Sequence, residues 1–249
     1  MNNPFSLENK TILITGASSG IGKATAIECS KMGAKIIITG RNLKRLQETY
    51  DELEGDGHLM FQADLMIKDE FDSLFNSISK LDGLVHSAGI ARHMLFNFLK
   101  KDQLNEMMGI NFEIPTLLTQ ALLKQKKINS GGSIVFINSI SGIMSSYIGG
   151  SIYSASKGAL NGLLKGLALE YASKKVRVNG VMPAMIETRL IDKSDVTEEQ
   201  LKLDRLKYPL KRYGTSEEVA YAAIYLLSDA SSWTTGTNIL LDGGRTISF

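Results

Sequence analysis

The sequence has 249 residues, 28 basic and 26 acidic side chains, a net charge of +2 and an apolar fraction of 43%. That balance excludes a nucleic-acid footprint, and the apolar content suffices for a buried core. A single cysteine, Cys29, excludes an intrachain disulfide and fits a reducing compartment, while His58, His86 and His93 lack metal-ligand spacing, so no metal is expected.

The opening MNNPFSLENK has no basic-then-apolar leader, and no apolar run approaches the ~18 residues of a membrane span. A soluble, cytoplasmic protein is expected. Short β-branched runs then alternate with helical patterns. Strands are expected at Thr11–Thr15, Ala34–Thr39, His58–Phe61, Gly83–His86, Ile134–Ile137, Val176–Val181 and Asn238–Leu241. Helices are expected at about 20–32, 42–53, 67–79, 102–125, 150–173 and 215–228. Unalternating apolar runs belong to strands covered on both faces. The alternation therefore predicts an α/β fold, a doubly wound parallel sheet of about seven strands in one Rossmann-like domain over 1–249. Residues 184–211 break the rhythm and read as a lid over a substrate.

After the first strand comes Thr15-Gly-Ala-Ser-Ser-Gly-Ile-Gly22, opening a helix. Gly16, Gly20 and Gly22 let the backbone turn tightly and approach a pyrophosphate at a helix N-terminus, which makes Gly16, Ser18, Ser19, Gly20, Ile21 and Gly22 candidate cofactor contacts. At the end of the second strand, where an acid would bind the ribose hydroxyls, stand Gly40 and Arg41, followed by Lys44 and Arg45. A guanidinium suits a 2′-phosphate, so NADP is expected over NAD. The alternative is a solvated, cationic helix start.

The stretch Ser139 to Lys157 runs from a strand end into a helix. Tyr153 and Lys157, four apart, share a helix face, and Ser139 can bring its hydroxyl to the same spot. A hydroxyl, a phenol and a cation around one cavity suit proton transfer at a carbonyl-alcohol carbon. Spacing alone is weak, because Tyr171 and Lys175 repeat it without a strand-end serine.

Taken together, these motifs make residues 7–245 resemble a short-chain dehydrogenase/reductase of the compact type, most similar to 3-oxoacyl-acyl-carrier-protein reductases. Leu210-Lys-Arg-Tyr-Gly214, Glu217-Glu-Val-Ala220 and Leu241-Asp-Gly-Gly244 match that branch. The resemblance implies that Tyr153 is the general acid or base and that Lys157 lowers its pKa and holds the nicotinamide ribose. Ser139 would bond the substrate oxygen, and Asn111 would hold a water joining the lysine to solvent. Asp64 would touch the adenine, Ala88 and Gly89 would line the cofactor, and Thr188 would bond its carboxamide. Leu65, Pro183 and Ile186 would complete the cofactor contacts. The residues themselves also allow Asn111 as a helix-interior polar group, Asp64 as a cap for a helix near Ile67, and Thr188 as a cap near Arg189.

Three departures from the family pattern stand out. His86-Ser87 replaces Asn-Asn before Ala88-Gly89, Pro183-Ala184 replaces Pro-Gly, and Ser139 and Tyr153 are 14 apart, one more than is common. Ser141 rivals Ser139 for the serine role. Met94, Leu95, Met144, Met185 and Leu190 are candidates for an apolar pocket. Lys124, Lys126, Lys127, Lys174 and Lys175 read either as a solvated face or as a docking surface for an acidic acyl-carrier protein. The resemblance implies a homotetramer built on the faces of helices 102–125 and 150–173 and on the C-terminal strand region, and Ala155, Gly158, Ala159, Gly162 and Gly166 would permit close helix approach. The expected reaction is reduction of a carbonyl, such as a 3-oxoacyl thioester, by NADPH. Oxidation or reduction of a steroid, polyol or other free alcohol with NADP(H) or NAD(H) is the alternative. A nucleotide-sensing binding protein on the same fold is a third reading.

Overall fold

Every β-branched run forms a strand in the computed structural model, which describes residues 3–188 and 197–248. The strands are β1 (Thr11–Thr15), β2 (Lys35–Gly40), β3 (Leu59–Gln62), β4 (Leu81–His86), β5 (Ile128–Ile137), β6 (Arg177–Pro183) and β7 (Asn238–Leu241). They make one sheet in the order β3-β2-β1-β4-β5-β6-β7, every pair parallel. The helices are α1 (Gly20–Lys31), α2 (Leu43–Tyr50), α3 (Lys68–Ser77), α4 (Lys101–Met108), α5 (Ile114–Lys124), α6 (Ser151–Tyr171), α7 (Glu198–Arg205) and α8 (Ser216–Leu227).

Successive strand residues point to opposite faces, and both faces are apolar. Ile12, Ile14, Ile36, Ile38, Val85 and Val135 pack with residues of α1 and α8, while Leu13, Ile37, Leu84, Ile134 and Phe136 pack with residues of α5 and α6. The unalternating runs have this cause. Among the described residues no helix is long and apolar enough to cross a membrane.

Two expected elements differ. β5 begins at Ile128, well before Ile134, because its pairing with β4 shifts register between Leu81 and Gly83. Gly131, at φ +87, and Gly132 carry the chain through that irregularity, while Asp82 accepts from Thr11 N and Asn129 Nδ2. The expected helix at 102–125 is two helices, α4 and α5, joined by a π-helical turn at Gly109–Glu113. Such turns often mark functional sites, and this one contains Asn111.

Register sets the site. Thr15 lies opposite Thr39 and His86, His86 opposite Phe136, and Phe136 opposite Gly180. The carboxyl ends of five strands thus share one edge. The order reverses between β1 and β4, the switch point outside which ligands bind in open α/β sheets.

Candidate active site

The loops after β1 and β4 meet at that switch point. A Cβ on Gly16 would lie 2.6 Å from Ala88 Cα, and Gly16 has φ +68. A Cβ on Gly22 would lie 2.4 Å from Gly16 O. Only glycine fits either position. Ser19 begins α1 without capping it through its side chain, and Ile21 packs on the core. Gly20, at φ +54, lies under Thr188, whose methyl would be 3.4 Å from an added Cβ. Ser18 stands against Gly40, 3.3 Å from where a Cβ would sit. These close backbone approaches fit a dinucleotide pyrophosphate.

At the end of β2, Arg41 is exposed and its guanidinium lies 3.7 Å from Asp64. Asn42 caps α2 by accepting from Arg45 N. Arg41 is thus a half-engaged cation. Asp64 does not cap α3, whose N-cap is Ile67; it accepts from Met66 N instead. Leu65, beside it, is buried in the sheet's second core cluster.

The His86-Ser87 departure has a structural answer. Ser87 N and Ala88 N both point to Thr15 Oγ1 at 3.3 Å, so a β1 hydroxyl serves the cofactor-loop backbone. The His86 ring turns away, pairs with Thr119 Oγ1 at 2.8 Å and stacks on Phe136 at 5.0 Å. Burial lowers its pKa to about 3, so it is neutral. Thr15 and Thr119 were not singled out by sequence; Thr15's place beside Gly16 was the available signal. Ala184 needs no positive φ, and its amide bonds Leu241 O at 2.9 Å.

Asn111 is fully buried. Its Oδ1 accepts from Ile90 N at 2.8 Å, and its Nδ2 donates to Ile90 O and Ser156 Oγ. A Cβ on Gly89 would lie 3.3 Å from Asn111 Oδ1 and 3.7 Å from Lys157 Nζ. Asn111, Gly89 and Lys157 therefore converge. Lys157 Nζ donates to Ile137 O at 2.8 Å and sits 5.8 Å from the Tyr153 ring centre.

The expected electrostatics are reversed in part. Burial raises the Tyr153 phenol to about 12, against which the facing Ser139 hydroxyl acts, and no contribution from Lys157 offsets it. Burial also lowers Lys157 to about 8. Desolvation is the leading cause of both shifts. Of the two rival serines, Ser139 is the one whose hydroxyl faces Tyr153, and the amide N of Ser141 donates to Ser139 Oγ at 3.1 Å. The Tyr171/Lys175 repeat is structural: Lys175 lies past the helix at φ 59, and Lys174 covers the Tyr171 ring at 4.6 Å.

Of the apolar pocket candidates, Leu95, Met144 and Met185 are exposed at the ends of β4, β5 and β6, joined by Phe96, Phe98 and Ile148. Leu190 and the cap site near Arg189 lie outside the described residues. Pro183 ends β6, and Ile186 bridges to Gly214. Residues 189–196 of the expected lid lie outside the described residues; the described part holds α7, which sequence reading did not anticipate, with Tyr208 and Tyr213 edge to face at 5.5 Å and Leu201 beside them. The lysine clusters precede β5 and β6, at the opposite end of the sheet from Ser139 within one chain. Lys127 Nζ is engaged by Phe75 O and Ile78 O.

A family model described as enoyl-(acyl carrier protein) reductase matches residues 16–246. A 3-oxoacyl-[acyl-carrier-protein] reductase of Rickettsia typhi is 37% identical over 94% of this chain and 96% of its own. One from Thermotoga maritima is 36% identical over 97% of this chain and 99% of its own. A crystal structure of a putative NAD(P) dependent gluconate 5-dehydrogenase from Beutenbergia cavernae, with bound NADP, superposes with a TM-score of 0.89 at 28% identity, covering 99% of this chain and 100% of that one. A parallel sheet with its glycine loop at the switch point and a match along nearly the whole length agree: the chain belongs to the short-chain dehydrogenase/reductase family of oxidoreductases acting on CH–OH groups.

Proposed function

We propose that this oxidoreductase uses NADP(H) to reduce the keto group of 3-oxoacyl thioesters. The observation that carries the reading is the convergence of Ser139 and Tyr153, with Lys157, Asn111 and Gly89, beside the glycine loop. The bound nicotinamide would supply the hydride. Ser139 donates to the substrate oxygen, Tyr153 gives it a proton, and Lys157 holds the ribose. Asn111 keeps the Ile90 backbone and the lysine's surroundings in place, and its remaining acceptor capacity suits a relay water. Gly16, Ser18, Ser19, Gly20, Ile21 and Gly22 would hold the pyrophosphate, and Arg41 would take a 2′-phosphate. Asp64 and Leu65 would hold the adenine end, and Ala88, Gly89, Pro183, Ile186 and Thr188 the nicotinamide end.

The apolar rim of Leu95, Phe96, Met144, Ile148 and Met185 supports an acyl chain as the substrate's body. We read 184–211 as the lid and 1–249 as a single domain, working in the cytoplasm with an acyl-carrier protein delivering the thioester. Exposed Leu117 on α5 and Leu169 on α6, with Trp233, support a homotetramer through those faces. A Cβ on Gly162 or Gly166 would meet nothing within 4 Å, so that stripe is open to a second copy. The named gluconate 5-dehydrogenase favours a polyol as the second reading.

The test is NADPH oxidation with an acetoacetyl thioester beside simple ketones, and NADP+ reduction with gluconate-type polyols, with Tyr153→Phe as the control. Thioester turnover lost in the variant supports the reading; turnover surviving in Tyr153→Phe, or confined to polyols, refutes it.

A further inference from the structure

Two polar rings outside the Ser139/Tyr153/Lys157/Asn111 group stand at the same mouth with their polar atoms unused. The loop after β5 folds back on α6: a Cβ on Gly142 would lie 1.9 Å from Ser154 O, Gly142 N donates to Ser145 O, and Ser146 Oγ pairs with Ser154 Oγ at 2.8 Å. Ser154 follows Tyr153 directly, so this loop is tied to the first turn of the helix carrying the phenol. Two glycines then act as seats. A Cβ on Gly150 would lie 2.6 Å from the Tyr147 ring, and one on Gly149, at φ +79, would lie 2.7 Å from His93 Nε2. Met94 N donates to Gly149 O at 2.8 Å, which joins the His93 loop to the Tyr147 loop.

The loop between Ser139 and Tyr153 thus holds two rings over glycine. Tyr147 remains 44% exposed. Among the described residues, neither its hydroxyl nor either His93 ring nitrogen makes a hydrogen bond. Held rings with free polar heads lose little entropy when a ligand takes them up. Tyr147 lies over Gly150, the N-cap of α6, three residues before Tyr153.

We infer that Tyr147 and His93 determine specificity by hydrogen-bonding a second oxygen function of the substrate, one set beside the carbonyl that Ser139 and Tyr153 face. The chemical class is a 1,3-dioxygenated compound, with a ketone flanked by a thioester or ester carbonyl. A plain ketone has no group to pair with them. The inference rests on the reductase reading above and adds to it the residues that select the substrate.

Paired kinetics test it. Tyr147→Phe and His93→Phe keep a ring on each glycine and remove only the polar atoms. kcat and KM would be measured with NADPH on an acetoacetyl thioester and on a plain ketone of equal chain length. The expected result is about a tenfold fall in the ratio of kcat/KM for thioester over ketone in each variant, carried by KM, the scale of one lost hydrogen bond. An unchanged ratio, with the unchanged protein active on the thioester, overturns this inference and leaves the reductase reading standing. No turnover of either compound by the unchanged protein overturns both.

Discussion

Lys157 offers a prediction in which activity and stability move in opposite directions. Its side chain is buried, and burial holds its pKa at about 8 against the ordinary 10.5. Below pH 8 both folded and unfolded chains carry the charge, and the folded state bears its full desolvation penalty. From 8 to 10.5 the folded lysine is neutral while the unfolded one stays charged, so the penalty fades; above 10.5 it is gone. A depression of this size corresponds to roughly 3 kcal/mol at neutral pH, an upper bound for a buried group. Lys157→Met removes the penalty with similar volume but loses the charge-assisted bond to Ile137 O, worth about 1.5–3 kcal/mol. A net gain of up to about 1.5 kcal/mol raises Tm by up to roughly 6 °C in a chain of this length. The assay is thermal unfolding of both cofactor-free proteins from pH 7 to pH 10.5, beside NADPH-linked turnover. The variant is expected to be more stable at pH 7, to lose that advantage toward pH 10.5, and to be inactive. A variant less stable at pH 7, or a difference independent of pH, would refute the argument that the lysine is held against its own solvation.

The remaining predictions follow from single contacts. Gly16→Ala, with its Cβ 2.6 Å from Ala88 Cα and a φ of +68, should displace the β4 loop and weaken NADPH binding by at least about tenfold, read by nicotinamide fluorescence. Arg41→Ser should cut the preference for NADPH over NADH by about 10- to 100-fold in kcat/KM, the scale of a charge-assisted hydrogen bond; equal losses with both cofactors would count against a 2′-phosphate contact. Thr119→Val strands the His86 ring without its partner and should lower stability by about 1–3 kcal/mol, seen in denaturant unfolding, with KM for NADPH unchanged.

The strands, their order of appearance and the residues of the glycine loop were legible in the sequence because each rests on local chemistry. Apolar runs without alternation can be buried only on both faces, and Gly16 and Gly22 occupy positions where a side chain would strike backbone. Tyr153 and Lys157 were readable as a pair because helix periodicity is local, and Ser139 because a strand end is. What lay beyond reach depends on partners distant in the chain. Asn111 sits in a π turn, bonding Ile90 and Ser156, contacts that no window of sequence around it contains. The substitution of His86 for asparagine looked like a lost loop contact, yet Thr15, 72 residues before Ser87, supplies the acceptor while His86 finds Thr119 across the second core. Sequence set the charge and type of Lys157 and Tyr153, but desolvation, a property of the packed interior alone, set the direction of both pKa shifts. The extra residue before Tyr153 could be counted from the sequence. That Tyr147 and His93 lie over Gly150 and Gly149 was decided by the tertiary structure, because only the folding of two strand-end loops against α6 brings those rings together.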